Sequence, residues 1–208
     1  MTSKTTVIIR SLLRPTLLSS IESCKQNKLP VTVVLDGVTV DSSNTTLFEA
    51  VCATEANILR VPRSYGHYGC IAANAAIALA DSEFVTFLDD DDELIAGASD
   101  ILLNRFARFP DIDIWIPGAQ LADGTVRCGP GAASKGLIRT NVVIPTYRAS
   151  VFAHVPYNLV DSHFFTAVDY TDYWHICLCK KAGFTVGWLE EPIYLIRPRL
   201  FGSNGEGR

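Results

Sequence analysis

No apolar run in this chain approaches the roughly 18–20 residues that a membrane-spanning helix needs. Nor does any lysine- and arginine-rich run resemble a footprint for nucleic acid or an anionic membrane surface. The 18 basic and 22 acidic residues are scattered, for a formal net charge of -4. The opening MTSKTTVIIRSLLRP has too short and broken an apolar core for a secretory signal and reads as a first strand. Six cysteines, at 24, 52, 70, 128, 177 and 179, lack metal-ligand spacing, and CLC at Cys177–Cys179 is too close for a CxxC clamp. Reduced thiols in a cytoplasmic protein are expected, with at most peripheral contact to a membrane. The glycines never form GxxxxGK[ST], which argues against a P-loop, and no internal repeat stands out.

The chain does contain enough apolar residue, 48% of 208, for one globular domain with a sizeable core. Its first half alternates two periodicities. TVIIRS, VTVVLDG, NILRVP and FVTFLD read as strands. RPTLLSSIESCKQ, TTLFEAVCA, GCIAANAAIALADS and LIAGASDILLNRFARF read as helices, the first with Pro15 in its opening turn. Ile71, Ala75 and Leu79 with neighbouring alanines suggest a close-packing face on the third helix. The second half is less regular: strands at IDIWIPG and NVVIPTY, a short helix at RASVFAHV, and a Gly-rich stretch from Gly118 to Gly136. YTDYWHICLCKKAGF is a helix with Gly183 near its end, and TVGWLEEPIYLIRPR holds one or two late strands. Strand–helix alternation predicts an α/β fold whose mostly parallel, Rossmann-like sheet is flanked by helices.

Ligands of such sheets bind outside the carboxyl ends of the strands. Two strands end in acid there: VVLD at Asp36, and FVTFLDDDDEL, in which four aspartates follow a buried-looking run. Unit charges about 4 Å apart repel by roughly 4 kcal/mol at an effective dielectric near 20. A divalent cation shared with a diphosphate would relieve that repulsion; a solvated acidic turn capping the next helix is the plainer alternative. Strand alternation puts Asp89 and Asp91 on one side and Asp90 and Asp92 on the other. Asp36 is either a nucleotide contact or part of an Asp-Gly turn. Asp169 and Asp172 in VDYTDYW have the spacing of an N-cap and its third helical residue. Tyr173 and Trp174 are either a stacking platform or core residues. Arg148 is a candidate phosphate or acceptor contact, or a surface arginine.

Together these segments resemble the inverting GT-A glycosyltransferases of family 2, over roughly residues 6 to 197. The strongest piece is GCIAANAAIALADSEFVTFLDDDDEL, a helix with a central Asn followed by a strand entering a D-x-D motif. The resemblance implies a nucleotide-diphospho-sugar donor (UDP by default), Mn²⁺ or Mg²⁺, and transfer with inversion to a glycan or other hydroxyl acceptor. By that match Asp36 would touch the base. One of Asp89 and Asp90 would hold the ribose, and Asp91, with Asp89, the metal. Arg10, His67 on the loop before the Asn74 helix, and Asn74 itself complete the donor-side candidates. Asp169 is the favoured base and Asp172 the second. The chain departs from the family pattern at Arg10-Ser11-Leu12, where Pro-Thr-Tyr is usual, at Ala73, an arginine position, and at Asp169-Tyr170, a Glu-Asp position. Residues 1–92 would form the nucleotide-sugar half, 93–200 the acceptor half, and 201–208 a flexible tail. A sugar-nucleotide nucleotidyltransferase and a non-catalytic nucleotide-sugar binding module are the alternative readings.

Overall fold

The computed structural model describes residues 4–64, 69–127, 145–157 and 171–197, without the side chains of 70, 127 and 171–174. The described elements are β1 (Thr5–Ser11), α1 (Leu17–Gln26), β2 (Val31–Asp36), α2 (Thr45–Cys52), β3 (Asn57–Val61), α3 (Cys70–Leu79), β4 (Phe84–Asp89), β5 (Glu93–Leu94), α4 (Ala98–Arg108), β6 (Ile114–Leu121), β7 (Val126–Arg127), β8 (Thr146–Arg148), α5 (Val151–His154), α6 (Thr171–Lys181) and β9 (Val186–Ile196).

All the described strands join one sheet in the order β3-β2-β1-β4-β8-β6-β9-β5, with β7 paired to β6. The β3-β2-β1-β4 block is wholly parallel. Its inner strands are β-branched and apolar on both faces: all of β2 is buried, as are five of the six β4 residues, while the edge strand β3 is not. Such strands survive only under cover on both sides, which is why they read as continuous apolar runs. Beyond β4 the sheet becomes mixed. Short β8 runs antiparallel to both β4 and β6, and β5 antiparallel to β9, while β6 and β9 are parallel with register shifts around Gly118.

Local signals fail at three places. Helix α1 starts at Leu17 with Thr16 as N-cap, so Pro15 lies before the helix and not in its first turn. Leu94, expected in a helix, pairs with Tyr194 in β5, and α4 starts only at Ala98. In α3 the buried residues are Ala72, Ala73, Ala76 and Ile77, while Leu79 is 70% exposed. The face built on Ile71, Ala75 and Leu79 is therefore rotated from the true one. A helix of small residues on every side carries almost no phase information.

Helix α6 ends as expected. Gly183 adopts φ +96. Phe184 N–H donates to the Cys179 carbonyl at 3.0 Å and Gly183 N–H to Lys180 at 3.1 Å, the paired bonds of a Schellman motif.

Candidate functional site

Strand β1 lies between β2 and β4, so Asp36 and Asp89 stand at the same carboxyl edge, two strand spacings or about 10 Å apart across the sheet, with Asp36 two residues further along. Asp36 is buried. Its Oδ2 accepts a bond from Ser64 Oγ at 3.0 Å, and its Oδ1, also buried, has no hydrogen-bond partner among the described residues. Leaving such an oxygen unsatisfied costs about 1–3 kcal/mol. Gly37 makes the closure possible. It sits at φ +70, and a Cβ there would lie 2.1 Å from the Ser64 backbone nitrogen.

The chain leaves β4 at Asp89 and turns at once, with Asp92 N–H donating to the Asp89 carbonyl at 3.1 Å. Because the strand has ended, its alternation no longer applies. Asp89, Asp91 and Asp92 each bring one carboxylate oxygen within 4.8 Å of the others. Asp90 alone turns the other way. Its Oδ2 accepts from Ser11 Oγ at 2.6 Å and its Oδ1 from Arg14 Nη1 at 2.9 Å. The pairing of Asp92 with Asp90 expected from the strand pattern is thus corrected by the turn. Burial lifts the Asp90 carboxyl above its ordinary pKa, against the pull of the Ser11 hydroxyl and the Arg14 charge.

Two arginines moderate the repulsion. Arg14 Nη1 also reaches Asp91 Oδ2 at 3.4 Å, and Arg10 Nη2 lies 3.3 Å from Asp89 Oδ1. The Arg10 guanidinium is set over the rings of Phe87 and Tyr157, 5.6 and 5.9 Å from their centroids. Arg14 is aimed by an unusual backbone. Buried Leu13 takes φ +62 and donates its N–H to Ser11 Oγ at 2.8 Å. A branched residue in that left-handed region costs on the order of 1–2 kcal/mol. Four aspartates against two arginines leave an excess of negative charge at the turn.

The backbone of the acidic turn rests on α1. Ser20 Oγ donates to the Asp92 carbonyl at 2.7 Å, and Ser23 Oγ accepts from Leu94 N–H at 3.0 Å. Asn27 Nδ2 donates to the Ile95 carbonyl at 3.0 Å, and Arg197 N–H reaches Asp92 Oδ1 at 3.2 Å. Sequence reading missed Ser11, Arg14, Ser20, Ser23 and Asn27. The available signal was three polar residues at helical spacing on the same face as Leu17, Ile21 and Cys24.

Of the remaining candidates, Asn74 Oδ1 accepts from Tyr157 N–H at 3.0 Å, so it secures the residue whose ring flanks Arg10. His67 and Asp169 lie outside the described residues. Asp172, Tyr173 and Trp174 are placed on α6, but their side chains lie outside them as well. Arg148 is in register with Phe84 at the amino end of β4 and pairs with Glu83 and the Pro110 carbonyl. It is a structural arginine on the edge away from the acids.

Helix α6 is anchored by His175, fully buried. Its Nε2 lies 2.9 Å from the Val155 carbonyl, which can only accept, so Nε2 carries the proton. Nδ1 then accepts from Tyr147 Oη at 3.2 Å. Burial holds the imidazole below its ordinary pKa, consistent with this neutral form. The Cys24 and Cys179 thiols are pushed up to about 12 by burial, which leaves them protonated and poor nucleophiles.

Hard carboxylate oxygens at the end of β4 suit Mg²⁺ or Mn²⁺, so the donor set fits a divalent ion. Among the described residues no helix is long and apolar enough to cross a membrane.

Comparison with known proteins agrees with this arrangement. Residues 6–125, more than half of the chain, match the family model for glycosyl transferase family 2. S. aureus TarS shares the fold: TM-score 0.66 at 16% identity, over 94% of this chain and 37% of that one. TarS 1–349 in complex with UDP-GlcNAc matches with TM-score 0.63 at 15% identity, over 99% of this chain and 61% of that one. Its complex with UDP matches with TM-score 0.63 at 16% identity, over 94% and 60%. The chain therefore spans less than two thirds of the structures it resembles. No curated protein matches it. A mixed sheet with acids at its carboxyl edge, and a family match running from β1 through the acidic turn and beyond, make this chain a GT-A-fold member of glycosyl transferase family 2.

Proposed function

We propose that the chain transfers a sugar from a nucleotide-diphospho-sugar, of UDP type, to a hydroxyl acceptor with inversion at the anomeric carbon. The observation carrying this reading is the carboxyl edge itself. Asp36 offers a buried oxygen lacking a partner among the described residues, and three carboxylates gather two strands away. The UDP-GlcNAc and UDP complexes of TarS support the choice of nucleotide.

Asp36 Oδ1 accepts a hydrogen bond from the base or ribose. Asp89, Asp91 and Asp92 would hold the divalent ion, which when bound supplies Lewis-acid stabilisation of the departing diphosphate. Both Asp90 oxygens already have protein partners, so Asp89 is the better placed of the two for the ribose. Arg10 adds positive charge beside Asp89 for a donor phosphate, and Asn74 keeps Tyr157 against it. His67, which precedes α3 in the sequence, is assigned a donor contact. On the acceptor side Asp169 takes the proton from the attacking hydroxyl, with Asp172 as the second candidate. Asp172 is in the first turn of α6, which His175 fixes, and Asp169 precedes that helix in the sequence. Residues 1–92 serve the donor and 93–200 the acceptor.

Calorimetric titration with UDP, UDP-GlcNAc and other nucleotide-sugars, with and without Mn²⁺, tests donor class and metal dependence together. Binding that strengthens with Mn²⁺ is expected; no binding of any nucleotide-sugar under either condition overturns the proposal. Asp169→Asn and Asp172→Asn separately should show one variant with transfer reduced about 10²-fold or more. If both transfer normally while folded, neither is the base.

A further inference from the structure

Arg14 has two acidic neighbours that differ in kind. Asp90 is a buried acid whose side chain is 5% exposed, held at 2.9 Å and also bonded to Ser11. Asp91 is a rim acid, 25% exposed, held at 3.4 Å by the same Nη1, and it belongs to the three-carboxylate group. The nitrogen carries two hydrogens, one for each acid. Releasing Asp90 would strand a buried carboxylate, whereas Asp91 can be released to another cation at little loss. Leu13 in its left-handed conformation and the Ser11 hydroxyl hold the start of the β1–α1 connection in the shape that aims Arg14 at both.

We propose that Arg14 is an internal counter-ion occupying the cation's place at Asp91 in the donor-free protein, and that a Mg²⁺- or Mn²⁺-class ion displaces it from Asp91 while it stays on Asp90. This rests on the metal reading of the site. Arg14 and the incoming ion compete for one carboxylate, so the side chain sets the threshold concentration at which the site loads. It also keeps the turn shaped while no ion is there. Arg10, on Asp89, is set over two aromatic rings with its side chain 12% exposed, whereas that of Arg14 is 39% exposed.

The test is calorimetric titration of Mn²⁺ into the full chain without nucleotide. Arg14→Gln should bind Mn²⁺ about tenfold more tightly than the wild type, since a unit positive charge close to the ion has gone. Arg14→Lys, which keeps the charge, should stay within about threefold of the wild type, and Lys25→Gln, an exposed residue at the far end of α1, should not change the affinity. Equal or weaker Mn²⁺ binding by folded Arg14→Gln overturns the exchange and leaves the metal reading standing. A chain that takes up no divalent ion in any form removes both. Should Arg14→Gln fail to fold, the wild type decides. The guanidinium ¹⁵N signals of Arg14 should shift on saturation with Mg²⁺, and unchanged signals at saturation overturn the exchange.

Discussion

Asp36 and Asp91 present the same functional group in different surroundings. Asp36 is buried with one oxygen bonded to Ser64 and the other lacking a partner among the described residues, so it suits a neutral hydrogen-bond donor. Asp91 is a rim acid among acids, so it suits a cation. Asp36→Ala should weaken UDP binding roughly 10- to 100-fold, the worth of one or two hydrogen bonds to a charged acceptor, as read by calorimetry. Asp91→Asn should abolish Mn²⁺ binding while shifting the melting temperature little. Both acids were legible in the sequence, because charge at the end of an apolar strand is conspicuous. Ser11 and Arg14 were not. Their meaning comes from a contact with residues 76 or more positions away, which no local pattern encodes.

At the scale of the element, α1 shows why amphipathicity is an incomplete guide. Its buried face contains Ser20, Ser23 and the adjoining Asn27, a polar strip that receives the backbone of the acidic turn. Asn27→Ala removes bonds to the Ser23 and Ile95 carbonyls and the Ser99 amide. It should lower stability by about 1–3 kcal/mol and, because the turn loosens, weaken Mn²⁺ binding as well. Gly37→Ala combines φ +70 with a Cβ 2.1 Å from the Ser64 backbone nitrogen. Unfolding curves should show a loss of about 2 kcal/mol, and UDP affinity should fall with it as Ser64 moves off Asp36. Helices α2 and α4 were found in the sequence because large apolar residues mark their phase. The phase of α3 was not, for lack of such residues.

For the molecule as a whole, the parallel block β3-β2-β1-β4 was readable from its repeated strand–helix alternation, and the acids' shared edge followed from it. The mixed region was not, since β5 and β8 are two and three residues long and are strands only because of what they pair with. Stability should carry a signature of the core histidine. His175 titrates below its ordinary 6.5 in the folded chain. Between that lowered value and about 6.5, the unfolded chain binds a proton that the folded chain refuses, so stability falls as pH drops through this window and is flat above it. Denaturant unfolding from pH 7.5 down to 5 should show the decline in the wild type and a flatter profile in His175→Gln.

Strand β9 reaches from β6 to β5 and so returns to the residues just past the aspartates. The acidic turn is consequently clamped between the end of β4 and a two-residue strand, with Arg197 tied back to Asp92. A surface turn of this composition would ordinarily trade its amide protons with solvent within moments. Here the amides of Asp92, Leu94 and Ile95 are each engaged, and deuterium should reach them on the timescale of the sheet's own opening, before any ligand arrives.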